Sequence, residues 1–302
     1  MRNCRTMKRI MSISLDGVQT LVLGSMTLDV VLRLDALPGR MEDVNIHAQQ
    51  LCIGGCAYNV YQAMKCCGSS ARLLTQRGSG MYAEELDRRS EGDPDILTVV
   101  AEGENGCCYC LVEPDGERSF LSLHGVEYHY PLAQLAQMDL SALRFVYLCG
   151  IDLEEAGDEV LTLLGRWEQL QIFFAPGPRV TQQGGWKSIY AHHPILHLNE
   201  AEACALSRQA DAEMALRQLY AQTHAPVILT MGERGSMAYD GKRLVRAAAC
   251  PCRVVDTIGA GDAHAGACLA MLEKGASIEE MLRQANALAA RAVSGAGALR
   301  CR

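Results

Sequence analysis

The chain is expected to fold as an α/β protein in three layers, a mostly parallel sheet covered by helices on both faces. Three observations predict this. From Arg144 onward, short apolar runs alternate with helical stretches, the order that builds βα units around a parallel sheet. Late in the chain a glycine-rich turn, Gly259-Ala260-Gly261-Asp262, opens a stretch with apolar residues at helical spacing. The 302 residues, with 49% hydrophobic and 21% charged side chains, suit one large domain or one domain with an appendage.

Composition excludes several classes. A net charge of -7 argues against nucleic acid or an anionic membrane as the main partner. No apolar run approaches the roughly 20 residues a membrane helix needs. Residues 1–18 begin with a basic segment that lacks the apolar core of a signal peptide, so they are expected to be an N-terminal extension and the protein cytoplasmic. Fourteen cysteines include Cys66-Cys67, Cys107-Cys108-x-Cys110 and Cys250-x-Cys252. None forms paired Cys-x-x-Cys arms, so a zinc-finger site is not expected and most are read as small reduced hydrophobes.

Taken in order, Leu21–Ser25 reads as a first buried strand and Val30–Leu34 as a second β-rich run, with Asp29 between them. The Gly-x-Gly-x-x-Gly of a dinucleotide site is missing after that first strand. Gly54 and Gly55 precede a helix carrying Asn59 and running to Gly68; Leu73–Thr75 is strand-like, and Gly78–Leu86 turns into a helix. Cys107–Val112 and Arg118–Leu123 read as a hairpin joined across Glu113–Glu117. With Val30–Leu34 and Gln50–Cys52 it can form a small sheet over a cleft, and its aliphatic outer face could also serve a homodimer. Phe145–Leu148, Gln171–Phe174, Pro194–Leu198 and Val227–Thr230 are strands, while Glu159–Leu170 and Ile278–Val293 are helices. His192, His193 and His197 are close in sequence but lack carboxylate spacing, and are read as solvated loop histidines. His264 is read first as packing.

The chemistry centres on Asp262. A short β-type run, Arg253-Val254-Val255, leads into the glycine turn, and Gly275 supplies a stop for the helix that follows. The first amides of a helix lack internal partners and carry the positive end of its dipole, so they favour an anion. One carboxylate beside an anion hole makes sense as a base that takes a proton from a hydroxyl attacking phosphorus.

These residues resemble a known family. Asp256-Thr257-Ile258-Gly259-Ala260-Gly261-Asp262 looks like the C-terminal signature of the ribokinase-like (PfkB) carbohydrate and nucleoside kinases, and the similarity spans roughly residues 20 to 300. The resemblance implies a ribokinase-like fold over residues 19–302, with a lid from about 30–52 and 105–123. It implies transfer of the γ-phosphoryl group of ATP to a hydroxyl of a small sugar or sugar derivative. Asp262 would be the base, with Gly259, Ala260 and Gly261 as the anion hole. Asp29, Gly55 and Asn59 match acceptor contacts, and Asn199, Thr230, Gly232, Gly235 and Asn286 match the nucleotide side. Asn199-x-x-Glu202 matches the pair that organises the water shell of Mg²⁺. Asp256, Ile258 and Gly297 match a loop that holds a monovalent cation such as K⁺ in many relatives. The chain departs from the family at Thr27, Cys56, Gly80 and Ala175. A nucleoside kinase, including the pseudouridine type, and a catalytically silent sugar- or nucleotide-binding relative are the alternatives. Retention of Asp262 and of Asn199-x-x-Glu202 counts against the silent one.

Overall fold

A computed structural model describes residues 15–90, 92–153, 157–177, 179 and 187–295. Two sheets carry the architecture. The larger has nine strands in the order β13-β12-β11-β10-β9-β8-β1-β4-β5. Its central members are β1 (Thr20–Leu23), β4 (Arg72–Ser79), β8 (Phe145–Cys149), β9 (Gln171–Ala175), β10 (Ile195–Asn199) and β11 (Val227–Thr230), all parallel to one another. β5 (Ile96–Glu104) extends one edge, and the antiparallel pair β12 (Ser236–Tyr239) and β13 (Leu244–Ala247) closes the other.

The alternation of strand side chains explains why this sheet has two covers. Val22, Tyr147, Phe173 and Ile228 point to one face, and the helices Cys56–Cys66, Ala260–Glu273 and Ile278–Val293 pack there. Leu21, Leu23, Val146, Leu148, Phe174 and Leu229 point to the other, against Gly157–Leu164 and Ala212–Thr223. Strands buried on both sides read as continuous apolar runs, and that made them visible in the sequence. The expected three-layer α/β/α class with a mostly parallel sheet and a smaller second sheet is what the chain adopts.

The second sheet has the order β3-β2-β6-β7, from β2 (Thr27–Leu34), β3 (Ile46–Gly54), β6 (Cys107–Val112) and β7 (Arg118–Leu123). Asp29 lies opposite Cys52 on one side and Cys108 on the other. Leu28 and Val30 face the opposite way, toward Tyr82 of helix Gly80–Ser90. The small sheet is therefore amphipathic, with one face on the body and one face carrying Asp29.

Some expectations need correction. The helix expected over Glu159–Leu170 covers Gly157–Leu164 and then tightens, with Arg166 and Trp167 amides donating three residues back to Leu163 and Leu164. Arg253-Val254-Val255 is not a strand: Val255 and Asp256 amides both donate to the Val293 carbonyl, at 2.8 and 3.1 Å, and Val254 and Val255 are exposed. The carbonyl at a helix end takes the place of a strand partner. Leu15 and Val18 are buried in the core, so the packed body includes residues assigned to the extension; residues 1–14 lie outside the described ones. Cys107, Cys108 and Cys110 carry free thiols, as expected, while Cys66 is disulfide-bonded. Among the described residues, no helix is long and apolar enough to cross a membrane.

Candidate active site

The helix Ala260–Glu273 starts from Gly259, whose φ of 70° is in the left-handed region that glycine adopts freely. No side chain caps this helix start; the Ala260 amide donates to the Thr257 carbonyl at 3.3 Å, and the amides of Gly261 and Asp262 remain available to an anion. The helix is built of small residues because it crosses helix Cys56–Cys66 closely: Gly266 sits against Val60 and Ala63. That crossing brings Asn59 to Asp262, and the Asn59 amide nitrogen donates to the Asp262 carboxylate at 2.9 Å. Burial pushes the Asp262 carboxyl up to about 6; the Asn59 hydrogen bond opposes this, and the negative charge of Glu202 adds to it.

The residues that match acceptor contacts cluster around the turn after β1, on the side of the large sheet where open α/β sheets bind ligands. Gly55 has φ +94°, and a Cβ there would lie 2.6 Å from the Ser25 carbonyl oxygen, so only glycine lets this helix start approach the turn after β1. Asp29, almost fully buried, accepts weakly from the Thr27 hydroxyl at 3.4 Å. Burial raises its carboxyl to about 7, the Thr27 bond opposes that, and the Asp262 charge reinforces it.

A third carboxylate, Asp152, was not anticipated from sequence. It follows β8, accepts from the Ser25 amide at 3.2 Å, and is likewise raised to about 7, chiefly by burial. Its second oxygen and the Asn59 carbonyl oxygen are buried without a partner. Buried acceptors of this kind are expensive to leave unmade, at about 1–3 kcal/mol each, and a hydroxyl-rich ligand would supply the missing donors. The sequence signal was present: an acidic residue three positions past an apolar strand.

Asp152 carries a stability prediction. A carboxyl raised on folding contributes stability below its unfolded value, and that contribution is lost as pH rises toward the folded value of about 7. Asp152→Asn removes the ionisation. Its melting temperature is therefore expected to exceed the parent's at about pH 8 and to match it at about pH 4. Thermal melts at both pH values check this; equal melting temperatures at the higher pH would contradict it.

Among the residues that match the nucleotide and Mg²⁺ positions, Asn199 and Glu202 form a reciprocal capping box. The Glu202 amide donates to Asn199 Oδ1 at 2.8 Å, and the Asn199 amide donates to the Glu202 carboxylate at 3.1 Å. Burial raises the Glu202 carboxyl, and its charge reaches Asp262. Thr230 ends β11 beside Asn199, with its hydroxyl 3.4 Å from the Leu198 carbonyl oxygen. Gly232 and Gly235 bracket the short 3-10 turn that follows. Asn286 is buried, and its amide donates to the carbonyls of Ala247 and Ala248. Those bonds tie helix Ile278–Val293 to the end of β13. Gly297 lies outside the described residues.

Asp256 departs from its expected backbone role by also using its side chain. It accepts from the Ile258 amide at 2.7 Å and pairs with Arg118 at 2.6 Å, both partners of the ion pair being largely buried. Arg118 opens β7, so this pair fastens the small sheet to the loop before the glycine turn; sequence reading missed it. His197 is not a solvated loop histidine. It sits in β10, is buried, and hydrogen-bonds His264 ring to ring at 2.9 Å. Burial lowers both imidazoles, so the pair is neutral, and His264 has the packing role expected of it.

The family model for pfkB family carbohydrate kinases matches residues 19–302. An uncharacterised sugar kinase, YegV, of Escherichia coli K12 is 33% identical over 277 residues, covering 89% of this chain and 86% of its own. Mouse ketohexokinase is 25% identical over 281 residues, covering 88% and 92% respectively. Among solved structures, a ribokinase from Thermotoga maritima superposes with a TM-score of 0.80 at 23% identity, covering 93% of this chain and 94% of that one. The ribokinase of Arabidopsis thaliana complexed with ribose and ATP superposes with a TM-score of 0.72 at 21% identity, over 93% and 94%.

Proposed function

The chain belongs to the pfkB family of carbohydrate kinases and is a phosphotransferase of that family; within it, we propose that it transfers the γ-phosphoryl group of ATP to a hydroxyl of a small sugar or sugar derivative. The observation that carries this reading is Asp262, held by Asn59 at an uncapped helix start within electrostatic reach of the buried carboxyls of Asp29 and Asp152, with one Asp152 oxygen and the Asn59 carbonyl oxygen unpartnered. Asp262 takes the proton of the attacking hydroxyl, and the first amides of helix Ala260–Glu273 stabilise the charge that grows on the phosphoryl oxygens. Asp29, Asn59 and Asp152 orient the acceptor, with Gly55 allowing close approach. Thr230, Gly232, Gly235, Asn199 and Asn286 line the nucleotide side. Ribose and ATP in the Arabidopsis ribokinase structure and the names of the sugar-kinase relatives support the class.

The small sheet is read as a lid that closes over the acceptor and excludes water, with Arg118–Asp256 as its latch. Leu121 and Leu123 are exposed on its far edge and suit a homodimer contact through the lid. A cytoplasmic location fits this reading. K⁺ is assigned to the backbone oxygens of Asp256 and Ile258 with Gly297. The test is a phosphoryl-transfer assay over a panel of sugars and nucleosides, with and without K⁺. Turnover of nucleosides alone would replace the sugar reading, and no turnover of any acceptor would favour a silent binding protein.

Glu202 fits a hydrated Mg²⁺: it is a desolvated carboxylate with one oxygen outside the capping box, within electrostatic reach of Asp262. When bound, Mg²⁺ would neutralise phosphate charge, with Asn199 and Glu202 ordering its water shell. Glu202→Gln keeps the cap and removes the charge. The Mg²⁺ concentration for half-maximal rate is expected to rise by about tenfold, equivalent to about 1.4 kcal/mol. An unchanged Mg²⁺ titration would leave Glu202 with the cap alone.

A further inference from the structure

The small sheet places two thiols beside the Asp29 carboxylate. Asp29 and Cys108 are direct partners across β2 and β6, and Cys110, two residues on, faces the same way. One ligand atom from each of the three lies within 4.8 Å of the other two. Both thiols are free, and their sulfurs are 3.9 Å apart. A tetrahedral ion with metal–sulfur bonds of about 2.3 Å holds two thiolates about 3.8 Å apart, so the observed spacing needs almost no adjustment. A disulfide fits less well. Residues two apart on a strand have Cα atoms separated by about 6.6 Å, close to the limit of about 6.8 Å that a disulfide spans.

We propose that Asp29, Cys108 and Cys110 form a binding site for a thiophilic divalent cation of the Zn²⁺ type, with a fourth position left for water or a ligand in the cleft. Two thiolates and one carboxylate are a donor set that Zn²⁺ accepts and Mg²⁺ does not favour. Binding displaces the two thiol protons to solvent, leaving the dithiolate–carboxylate complex with a single negative charge. The functional consequence rests on the reading of Asp29 as the acceptor carboxylate: an ion on Asp29 competes with the sugar, so Zn²⁺ is an acceptor-competitive inhibitor.

Two readouts separate the site from that consequence. In the first, the full chain without nucleotide is titrated with Co²⁺ as the spectroscopic probe. A thiolate-to-Co²⁺ charge-transfer band is expected at one ion per chain, bleached by Zn²⁺, and lost in both Cys108→Ser and Cys110→Ser. Circular dichroism checks that the variants fold, and the pair keeps the test available if one does not. In the second, kinase activity is followed at saturating MgATP with buffered free Zn²⁺. The apparent acceptor KM is expected to rise at least tenfold with kcat unchanged in the parent, and not at all in Cys110→Ser, whose activity without Zn²⁺ equals the parent's. No band, or a band that survives in both folded variants, would overturn the site. A band lost in both variants, together with no competition against acceptor, would keep the site and remove Asp29 from acceptor binding.

Discussion

Asp262→Asn is expected to lower kcat by about 10²–10⁴-fold, the range that general-base catalysis contributes, while nucleotide affinity stays within a few-fold. The substitution keeps size and can still accept the Asn59 hydrogen bond, so the helix crossing that positions residue 262 survives. What is lost is a basic oxygen next to the uncapped amides of helix Ala260–Glu273. Those amides remain, and donors of this kind supply about 2.7–4 kcal/mol each in other enzymes, so residual turnover above background is expected. The parent has a pH signature as well. Asp262 works as a base only when ionised, and burial places its carboxyl at about 6. Activity should therefore fall as pH drops through about 6, and the low-pH limb should disappear in the variant. A variant kcat close to the parent's, measured with a responsive acceptor, would remove Asp262 as the base.

Asp29→Ala tests the acceptor. The carboxylate is almost fully buried at the face of the small sheet, and its weak 3.4 Å contact with Thr27 leaves most of its accepting capacity unused. An ionised carboxylate accepts hydroxyl hydrogen bonds roughly twice as strong as those of a neutral group. Losing them should raise acceptor KM by at least about tenfold, equivalent to about 1.4 kcal/mol, with ATP KM little changed. Folding should not suffer. Asp29 is raised to about 7 by burial and by the Asp262 charge, so its ionised form is held at a cost to the apoprotein and Ala is at least as stable near neutral pH. A higher acceptor KM with a normal melting curve assigns the effect to binding. An unaltered acceptor KM would mean that the substrate is gripped elsewhere, with Asp152 the nearest candidate.

Much of the site was readable because it is local in sequence. Gly259, Gly261 and Asp262 share one turn, and the start of a helix imposes its own chemistry on whatever residues occupy it. Asn199 and Glu202 were likewise found by their three-residue spacing, and the structure adds that the same spacing forms a capping box. Asn59 was found because it follows a pair of glycines. Its hydrogen bond to a residue 203 positions away could only come from how two helices cross. β13 and β5 went unread because they are the edges of the large sheet, where partial exposure breaks the apolar run; Val100 on β5 is 77% exposed.

By itself, the sequence determined the layer order, the buried central strands, the small second sheet and the glycine turn with its carboxylate. Each rests on backbone preference or on side-chain periodicity over a few residues. Only the tertiary structure decided that Asp152 joins Ser25 from 127 positions away, that Arg118 latches onto Asp256, and that His197 is sealed against His264. It also decided that Cys108 and Cys110 share a face with Asp29. These are pairings between strands, helices and loops distant in the chain. Their register is set by packing of the whole domain, and no local pattern encodes which partner a buried polar group will meet.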